Sequence, residues 1–150
     1  MANTYTELYY HCIWSTKNRM PVIRTEIEEN VWRLLAATAS KHEMHIKRAG
    51  GIENHVHVLV QIPKTMSVSE AMKRLKGGSS NAINDAGLIK TKFGWQDGYG
   101  AFTVSRSKLS DVCRYISNQR EHHNTQTFAD EFVAFLEKNG VEYDSRYLFG

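Results

Sequence analysis

Residues 53–63 read ENHVHVLVQIP, a run in which β-branched aliphatic residues alternate with other types. Successive side chains of a β-strand point to opposite faces of its sheet, so one face of this segment is wholly aliphatic. That face consists of Val56, Val58, Val60 and Ile62. The other face consists of His55, His57, Leu59 and Gln61. We therefore predict a strand that buries its aliphatic face and ends at Pro63.

The two imidazoles on one face of this strand, His55 and His57, have two interpretations. Side by side they can hold one metal ion or one phosphate between them. They can equally be two polar residues on the solvent side of a sheet. The strand pattern alone leaves both interpretations open.

Strand and helix patterns alternate along the rest of the chain. Alternating aromatic and β-branched residues predict further strands at 6–17, 44–52 and 101–105. Apolar residues at helical spacing predict helices at 25–42, 67–85, 108–124 and 127–140. The order is β-α-β-β-α-β, followed by two more helices.

This order predicts an α+β fold of the ferredoxin-like or RRM-like kind. We expect a single domain over residues 1–150, with a four-stranded antiparallel sheet and helices on one face. The strand with the two histidines would lie centrally in that sheet. The second face would stay free for ligands unless another element covered it.

Short signals refine the boundaries of these elements. Capping boxes predict that two helices start at Thr25, with Glu28, and at Ser67, with Glu70. Glycine pairs predict a bulge or turn at 50–51 and a loosened helix at 77–78.

Composition excludes several classes of protein. The chain has 150 residues, of which 41% are hydrophobic and 23% charged, as in a soluble globular protein. No apolar run approaches the roughly 20 residues of a membrane helix, and the start of the chain shows no export signal. Cys12 and Cys113 match no zinc or disulfide spacing. We therefore expect a cytoplasmic protein without a membrane partner.

Positive charge is concentrated in the middle of the chain. Residues 64–108 contain eight Lys and Arg against three Asp and Glu, a net of +5, whereas the whole chain carries +3. The remainder therefore carries −2. Such a bias suggests a surface that binds a polyanion, although a solvated helix face produces the same bias.

The helix predicted at 108–124 adds a possible nucleophile. Tyr115 and Gln119 are four residues apart and so share one helix face. A tyrosine hydroxyl can attack a phosphodiester when a divalent cation offsets the charge of the phosphate oxygens. His55, His57 and the Gln119 amide oxygen could supply three ligands to Mg²⁺ or Mn²⁺. Each feature has an ordinary structural explanation, and their coincidence in one basic domain favours the metal site.

These motifs resemble the HUH endonucleases, and in particular their single-tyrosine transposases of the insertion-sequence 200/605 group. HVHVLV resembles the His-hydrophobic-His motif, and YISNQ resembles the Tyr-x-x-x-Gln helix. WSTKNR, LKGGSS, WQDGYGAFTVS and NQREHH extend the resemblance in the family's order. The resemblance implies that Tyr115 is the nucleophile and that His55, His57 and Gln119 bind Mg²⁺ or Mn²⁺.

The resemblance also implies a substrate and an assembly. Such enzymes cut and rejoin single-stranded DNA near a hairpin at the ends of a mobile element, through a 5′-phosphotyrosine link and without a nucleotide cofactor. They work as homodimers in bacteria or archaea, and the tyrosine helix of one protomer can serve the histidines of the other. Candidate DNA-binding residues are Lys17, Arg19, Lys73, Arg74, Lys76 and Ser79.

Three rival functions stay open at this point. Another HUH enzyme, such as a replication initiator, typically has Lys in place of Gln119. A host-adopted, palindrome-processing relative typically follows the tyrosine with Asn-Pro, whereas Gln119 follows Asn118 here. A non-catalytic nucleic-acid-binding module would have the same fold. One departure from the family pattern is Asn54, where many relatives have an acidic residue; Glu53 is then the candidate partner of the histidines.

Overall fold

The computed structural model describes residues 2–149 and contains a four-stranded antiparallel sheet. Its strands lie in the order β2-β3-β1-β4. The strands are β1 (Tyr9–Ser15), β2 (His45–Ile52), β3 (His55–Gln61) and β4 (Gly100–Val104). The helices are α1 (Glu28–Lys41), α2 (Val68–Asp85), α3 (Leu109–Ser117), α4 (Gln119–His122) and α5 (Phe128–Lys138). The predicted α+β fold and the central place of β3 are confirmed.

The aliphatic face of β3 packs against α1 and α2, as its pattern predicts. All four aliphatic side chains of that face are at most 2% exposed. They form one core cluster with Val31 and Leu35 of α1 and with Leu75 of α2. This core fixes the register of β3, because a shift by one residue would turn the histidines into it.

The second face of the sheet is covered as well. Two apolar clusters lie on it, one beneath α3 and one beneath α5. The first joins Leu59 of β3 to Leu109, Cys113 and Ile116 of α3. The second joins Ile13 and Phe102 of the sheet to Phe128, Phe132 and Leu136 of α5. Helices therefore lie on both faces of the sheet, and the interpretation of His55 and His57 as residues on a solvent-facing side is wrong.

The helix-start signals have mixed outcomes. The Ser67 hydroxyl accepts a hydrogen bond from the Glu70 backbone N–H at 3.1 Å, so this cap is confirmed. The predicted cap at Thr25 is wrong, because α1 begins at Glu28 after Ile27 and has no side-chain cap. The helix predicted at 108–124 is interrupted at Asn118, where φ is −100° and ψ is 23°.

The glycine pairs lie inside regular elements. Gly50 lies in β2 opposite His57, and the irregularity of that strand lies between Ile46 and Arg48 instead. A Cβ on Gly50 would lie 2.5 Å from the Ile116 carbonyl oxygen, so this glycine lets α3 approach the sheet. The predicted loosening at 77–78 is wrong, because α2 passes through both glycines without a break.

Across residues 2–149, every helix is too short or too polar to cross a lipid bilayer.

Candidate active site

The centre of the site is the histidine face of β3. His55 and His57 are fully buried, and their ring centroids are 5.1 Å apart. The helix break at Asn118 lets Gln119 begin a new helix with its side chain turned inward. The Gln119 Oε1 atom lies 3.0 Å from the Nε2 atom of His55. Gln119 was expected to reach the site as part of one continuous helix with Tyr115. It reaches the site from the separate helix α4 instead.

Tyr115 reaches the same point from α3. Its ring is half-buried, and the ring centroid lies 5.8 Å from that of His57. Its hydroxyl donates a hydrogen bond to Glu131 of α5. The structure thus brings together all four residues predicted from the sequence, namely Tyr115, His55, His57 and Gln119, within a single chain.

Two residues of the C-terminal segment were missed by sequence reasoning. Glu131 and His123 join His55 and His57 in a group whose possible ligand atoms all lie within 4.8 Å of one another. A carboxylate therefore joins the predicted ligands, His55, His57 and Gln119. A signal for Glu131 exists, since it is an acidic residue between Phe128 and Phe132 on the buried face of α5. No spacing rule links it to β3.

The contacts of the Nδ1 atoms fix the tautomers of His55 and His123. The Nδ1 atom of His123 lies 2.6 Å from the Gln126 carbonyl oxygen, and that of His55 lies 3.0 Å from Asn54 Oδ1. Both oxygens accept hydrogen bonds only, so each Nδ1 must donate. In the neutral rings both Nε2 atoms are then bare.

These bare nitrogens point at oxygen atoms. The Nε2 atoms of His55 and His123 lie 3.0 and 3.1 Å from Gln119 Oε1. They also lie 3.3 and 3.1 Å from Glu131 Oε1. Two acceptors in contact repel each other unless a proton or a cation lies between them. Imidazoles held through Nδ1 with Nε2 directed inward are the arrangement that metal ligands have in proteins.

His57 connects the site to β1. Its Nδ1 atom is 2.8 Å from the Nε2 atom of His11, and its own Nε2 atom is 2.9 Å from Glu131 Oε1. Burial lowers the pKa of His57 to about 4 and that of His11 to about 3. Both rings are therefore neutral at neutral pH, which is the form that binds metal.

The charges of the site are set by Glu131. Burial opposes its anionic form, but the imidazoles of His123, His55 and His57, where a proton lies between nitrogen and oxygen, outweigh burial and hold the pKa of Glu131 well below its usual range. Burial also disfavours a charged His123, yet its hydrogen bond and ion pair with Glu131 together raise its pKa. Burial and the bond to Glu131 raise the pKa of Tyr115 far above its usual value. Tyr115 is thus held in its protonated form.

The supporting residue of the histidines is Asn54. Its side-chain oxygen contacts the Nδ1 atom of His55, whereas Glu53 accepts a hydrogen bond from Arg120 at 2.8 Å. The expectation that Glu53 supports the histidines is therefore wrong. Asn54, in place of an acidic residue, orients the His55 ring without adding a charge.

A basic groove lies on another side of the molecule, between α2 and the segment before β4. Its lining includes Lys17, Lys73 and Lys76, together with Trp95 and Tyr99. The ammonium group of Lys76 lies 5.6 Å from the centroid of the Tyr99 ring. Burial lowers the pKa of Lys76 to about 8. Three of the six predicted DNA-binding residues therefore line one groove with aromatic side chains.

The other three predicted DNA-binding residues lie outside this groove. Arg74 lines a separate depression and pairs with Glu70 at 2.8 Å. The guanidinium of Arg19 lies 4.3 Å from the centroid of the Phe149 ring. Ser79 is fully buried, and its hydroxyl accepts a hydrogen bond from the Trp95 indole at 2.9 Å. Ser79 therefore supports Trp95 from inside and presents no surface to DNA.

Known proteins are similar to this chain in sequence. The family described as "Transposase IS200 like" matches residues 4–119. The chain is 31% identical to the transposase for insertion sequence element IS200 of Salmonella typhimurium over 128 residues, which cover 81% of this chain and 82% of the relative. It is 26% identical to the ISDra2 transposase TnpA of Deinococcus radiodurans over 120 residues, which cover 77% of this chain and 86% of the relative.

Solved structures show the same fold. A candidate transposase from Deinococcus radiodurans R1 superposes with a TM-score of 0.63 and 24% identity, over 79% of this chain and 95% of that one. A REP-associated tyrosine transposase bound to a REP hairpin superposes with a TM-score of 0.58 and 13% identity, over 82% of this chain and 73% of that one. With the family match extending from the first strand to Gln119, the chain belongs to the IS200-like transposases.

Proposed function

We propose that this protein cuts and rejoins single-stranded DNA at the ends of an insertion sequence through a covalent 5′-phosphotyrosine intermediate. The observation that carries the proposal is the convergence of Tyr115 with His55, His57 and Gln119 on one anion. In this chain that anion is the Glu131 carboxylate, which the tyrosine hydroxyl and the imidazoles contact together. A scissile phosphate is also an anion, and it needs contact with both the tyrosine hydroxyl and the metal-binding side chains.

In the proposed reaction Tyr115 is the nucleophile. Its oxygen forms a bond to phosphorus, and the bond from phosphorus to the 3′ oxygen of the preceding nucleotide breaks. The phenolic proton is lost, and the departing 3′ oxygen gains a proton, which leaves a free 3′-OH and a 5′-phosphate on Tyr115. Attack by a 3′-OH on this link restores a phosphodiester and the tyrosine. The link conserves the energy of the cut bond, so no nucleotide cofactor is needed.

The proposed cofactor is Mg²⁺ or Mn²⁺, and the residues fit it. His55, His57 and Gln119 would hold the ion, because the bare Nε2 atom of His55 and the Gln119 amide oxygen already face one another at 3.0 Å. Such an ion offsets the charge of the phosphate oxygens. Asn54 and His11 hold the two β3 imidazoles in place through their Nδ1 atoms.

The proposed substrate is a single strand with a hairpin near the element end, held by the basic groove. Lys17, Lys73 and Lys76 can neutralise phosphates there, and the partly exposed Tyr99 offers a ring on which an unpaired base can stack. One structural relative is bound to a REP hairpin. We further propose that the enzyme acts as a homodimer in the cytoplasm of a bacterium or archaeon, where the DNA of the element lies.

Cleavage of labelled oligonucleotides that carry the element end tests this function. With Mg²⁺ or Mn²⁺ the wild-type chain should cut the single strand, and excess chelator should stop the cut. Tyr115→Phe should bind the oligonucleotide without cutting it. Tyr143→Phe is the matched control, because Tyr143 is an exposed tyrosine that bonds Glu137 and should leave cleavage unchanged. Cleavage by Tyr115→Phe at the wild-type rate would refute the proposal.

A further inference from the structure

We infer that α5 is an autoinhibitory element, because its Glu131 carboxylate occupies the position that the scissile phosphate must take. DNA then reaches the site only when α5 leaves the sheet. This inference rests on the proposed function, since it assumes that the substrate is a phosphodiester. Glu131 and α5 lie beyond Gln119, where the family match ends.

The contacts of Glu131 are those of a bound anion. Its Oε1 atom lies 2.9, 3.1 and 3.3 Å from the Nε2 atoms of His57, His123 and His55. Its Oε2 atom accepts hydrogen bonds from the Tyr115 hydroxyl and from Gln119 Nε2, the latter at 3.2 Å. One carboxylate therefore contacts both the nucleophile and the metal-binding side chains. A phosphate under attack by Tyr115 would need the same space.

Burial shows that the site is closed around this carboxylate. His55 and His57 are 0% exposed, and Gln119 and Glu131 are 1% exposed. A scissile phosphate has a nucleoside on each side, so it cannot reach side chains that are shielded to this degree. Some covering element has to move before DNA can bind.

The element that covers the site is α5. Phe128 stacks on the His55 ring, with centroids 4.5 Å apart and an angle of 26°. Phe132 and Leu136 pack with Ile13 and Phe102 of the sheet. The connection to α4 contains the exposed residues 124–125, which form no part of a helix or strand. Displacement of α5 would therefore open the site through a short exposed linker and leave the sheet in place.

A metal bound within the closed site would lack room for substrate. His55, His57, His123 and Glu131 together offer four ligand atoms, and Gln119 offers a fifth. Mg²⁺ and Mn²⁺ take six ligands, so five protein ligand atoms would leave one position, and the closed site gives DNA no path to it. Glu131 would leave with α5, whereas His123 precedes the linker and would stay, so an ion on His55, His57 and Gln119 would gain a further open position.

Bound DNA could replace the contacts that the sheet loses when α5 leaves. Loss of Phe128 and Phe132 would expose the His55 ring and the side chain of Phe102. Unpaired bases can stack on such rings, which a paired duplex cannot do. Single-stranded DNA would then replace both the carboxylate and the aromatic contacts of α5.

Single-turnover cleavage by the full chain separates inhibition from catalysis. Glu131→Ala should cut the single-stranded oligonucleotide about tenfold faster or more, because a larger open fraction raises the apparent affinity and rate in proportion. Glu131→Gln keeps the shape of the side chain and should give a smaller increase. Asp130→Asn is the matched control, since Asp130 is the exposed neighbour on α5 and its loss should change nothing. Slower cleavage by both Glu131 variants, with Asp130→Asn unchanged, would overturn the inference.

Chemical modification of histidines tests the closed state without any cleavage. In metal-free buffer, diethyl pyrocarbonate should modify His55 and His57 of the wild-type chain at least about tenfold more slowly than the exposed His45. In Glu131→Ala both histidines should become reactive. Equal rates for His55, His57 and His45 in the wild-type chain would overturn the inference. If His55 and His57 become reactive in Glu131→Ala but no chain cuts DNA, the proposed function fails and α5 still closes the site.

Discussion

Tyr115 and Glu131 lie 16 residues apart on separate helices and share a hydrogen bond at the centre of the buried site. The bond keeps the tyrosine hydroxyl protonated and places a negative charge among the imidazoles of β3. The structure thus brings the proposed catalytic side chains together around a carboxylate of the same chain.

Asn54 should control metal affinity through the orientation of His55. Asn54→Ala removes the acceptor of the Nδ1 proton, so the His55 ring loses its fixed tautomer and direction. We expect Mn²⁺ affinity to fall by about tenfold or more, as is usual for residues that orient a ligand. Isothermal titration calorimetry measures this change. Glu53→Gln is the control, because Glu53 bonds Arg120 and should leave the affinity intact.

DNA affinity should depend on pH through Lys76. Burial lowers the pKa of this amine from its ordinary 10.5 to about 8, so it is charged below that pH and loses its charge above it. A bound phosphate favours the charged form, so binding above pH 8 requires proton uptake. Affinity for a hairpin oligonucleotide should then fall by up to about tenfold per pH unit above 8.

Lys76→Arg provides the comparison for this pH profile, because a guanidinium stays charged throughout. Fluorescence titrations at pH 7, 8 and 9, at one ionic strength, should show a flatter profile for the arginine variant. Parallel profiles for the two chains would show that Lys76 does not hold a phosphate.

Gly50 should be required for the docking of α3. A Cβ at this position would lie 2.5 Å from the Ile116 backbone oxygen, and the helix would have to shift. We expect Gly50→Ala to lower the free energy of unfolding by about 1–3 kcal/mol. Gly77→Ala is the control, since a Cβ there meets nothing within 4 Å and should stabilise α2 by about 0.5–1 kcal/mol. Urea unfolding of both variants measures the difference, and equal effects would contradict the role of Gly50.

Complementation between inactive chains tests whether active sites are shared in a dimer. The family resemblance implies shared sites, although in the single chain Tyr115 lies beside its own His57. A mixture of His55→Ala/His57→Ala chains with Tyr115→Phe chains should regain cleavage, because one heterodimer site combines intact histidines with an intact tyrosine. No recovery, with heterodimers demonstrated, would show that each chain uses its own tyrosine.

Much of the site follows from local pattern. The alternation in β3 predicts the shared face of His55 and His57, and helical spacing places Tyr115 near Gln119. The burial of His55 and His57 cannot be predicted from the β3 pattern, because it depends on α5, which is distant in the chain. Glu131 lies 74 residues from His57, and no periodicity connects the two. The break at Asn118 carries no glycine or proline signal, so the local sequence does not predict it.

Identification of the residue that carries the protein–DNA link tests the role of Tyr115 directly. After reaction of the wild-type chain with a single-stranded element end and Mn²⁺, the covalent adduct is digested and its peptides are sequenced by mass spectrometry. We expect a nucleotide 5′-phosphate on the Tyr115 hydroxyl, and no adduct with Tyr115→Phe. A link at another residue, or efficient strand joining without any adduct, would contradict the assignment of Tyr115 as the nucleophile.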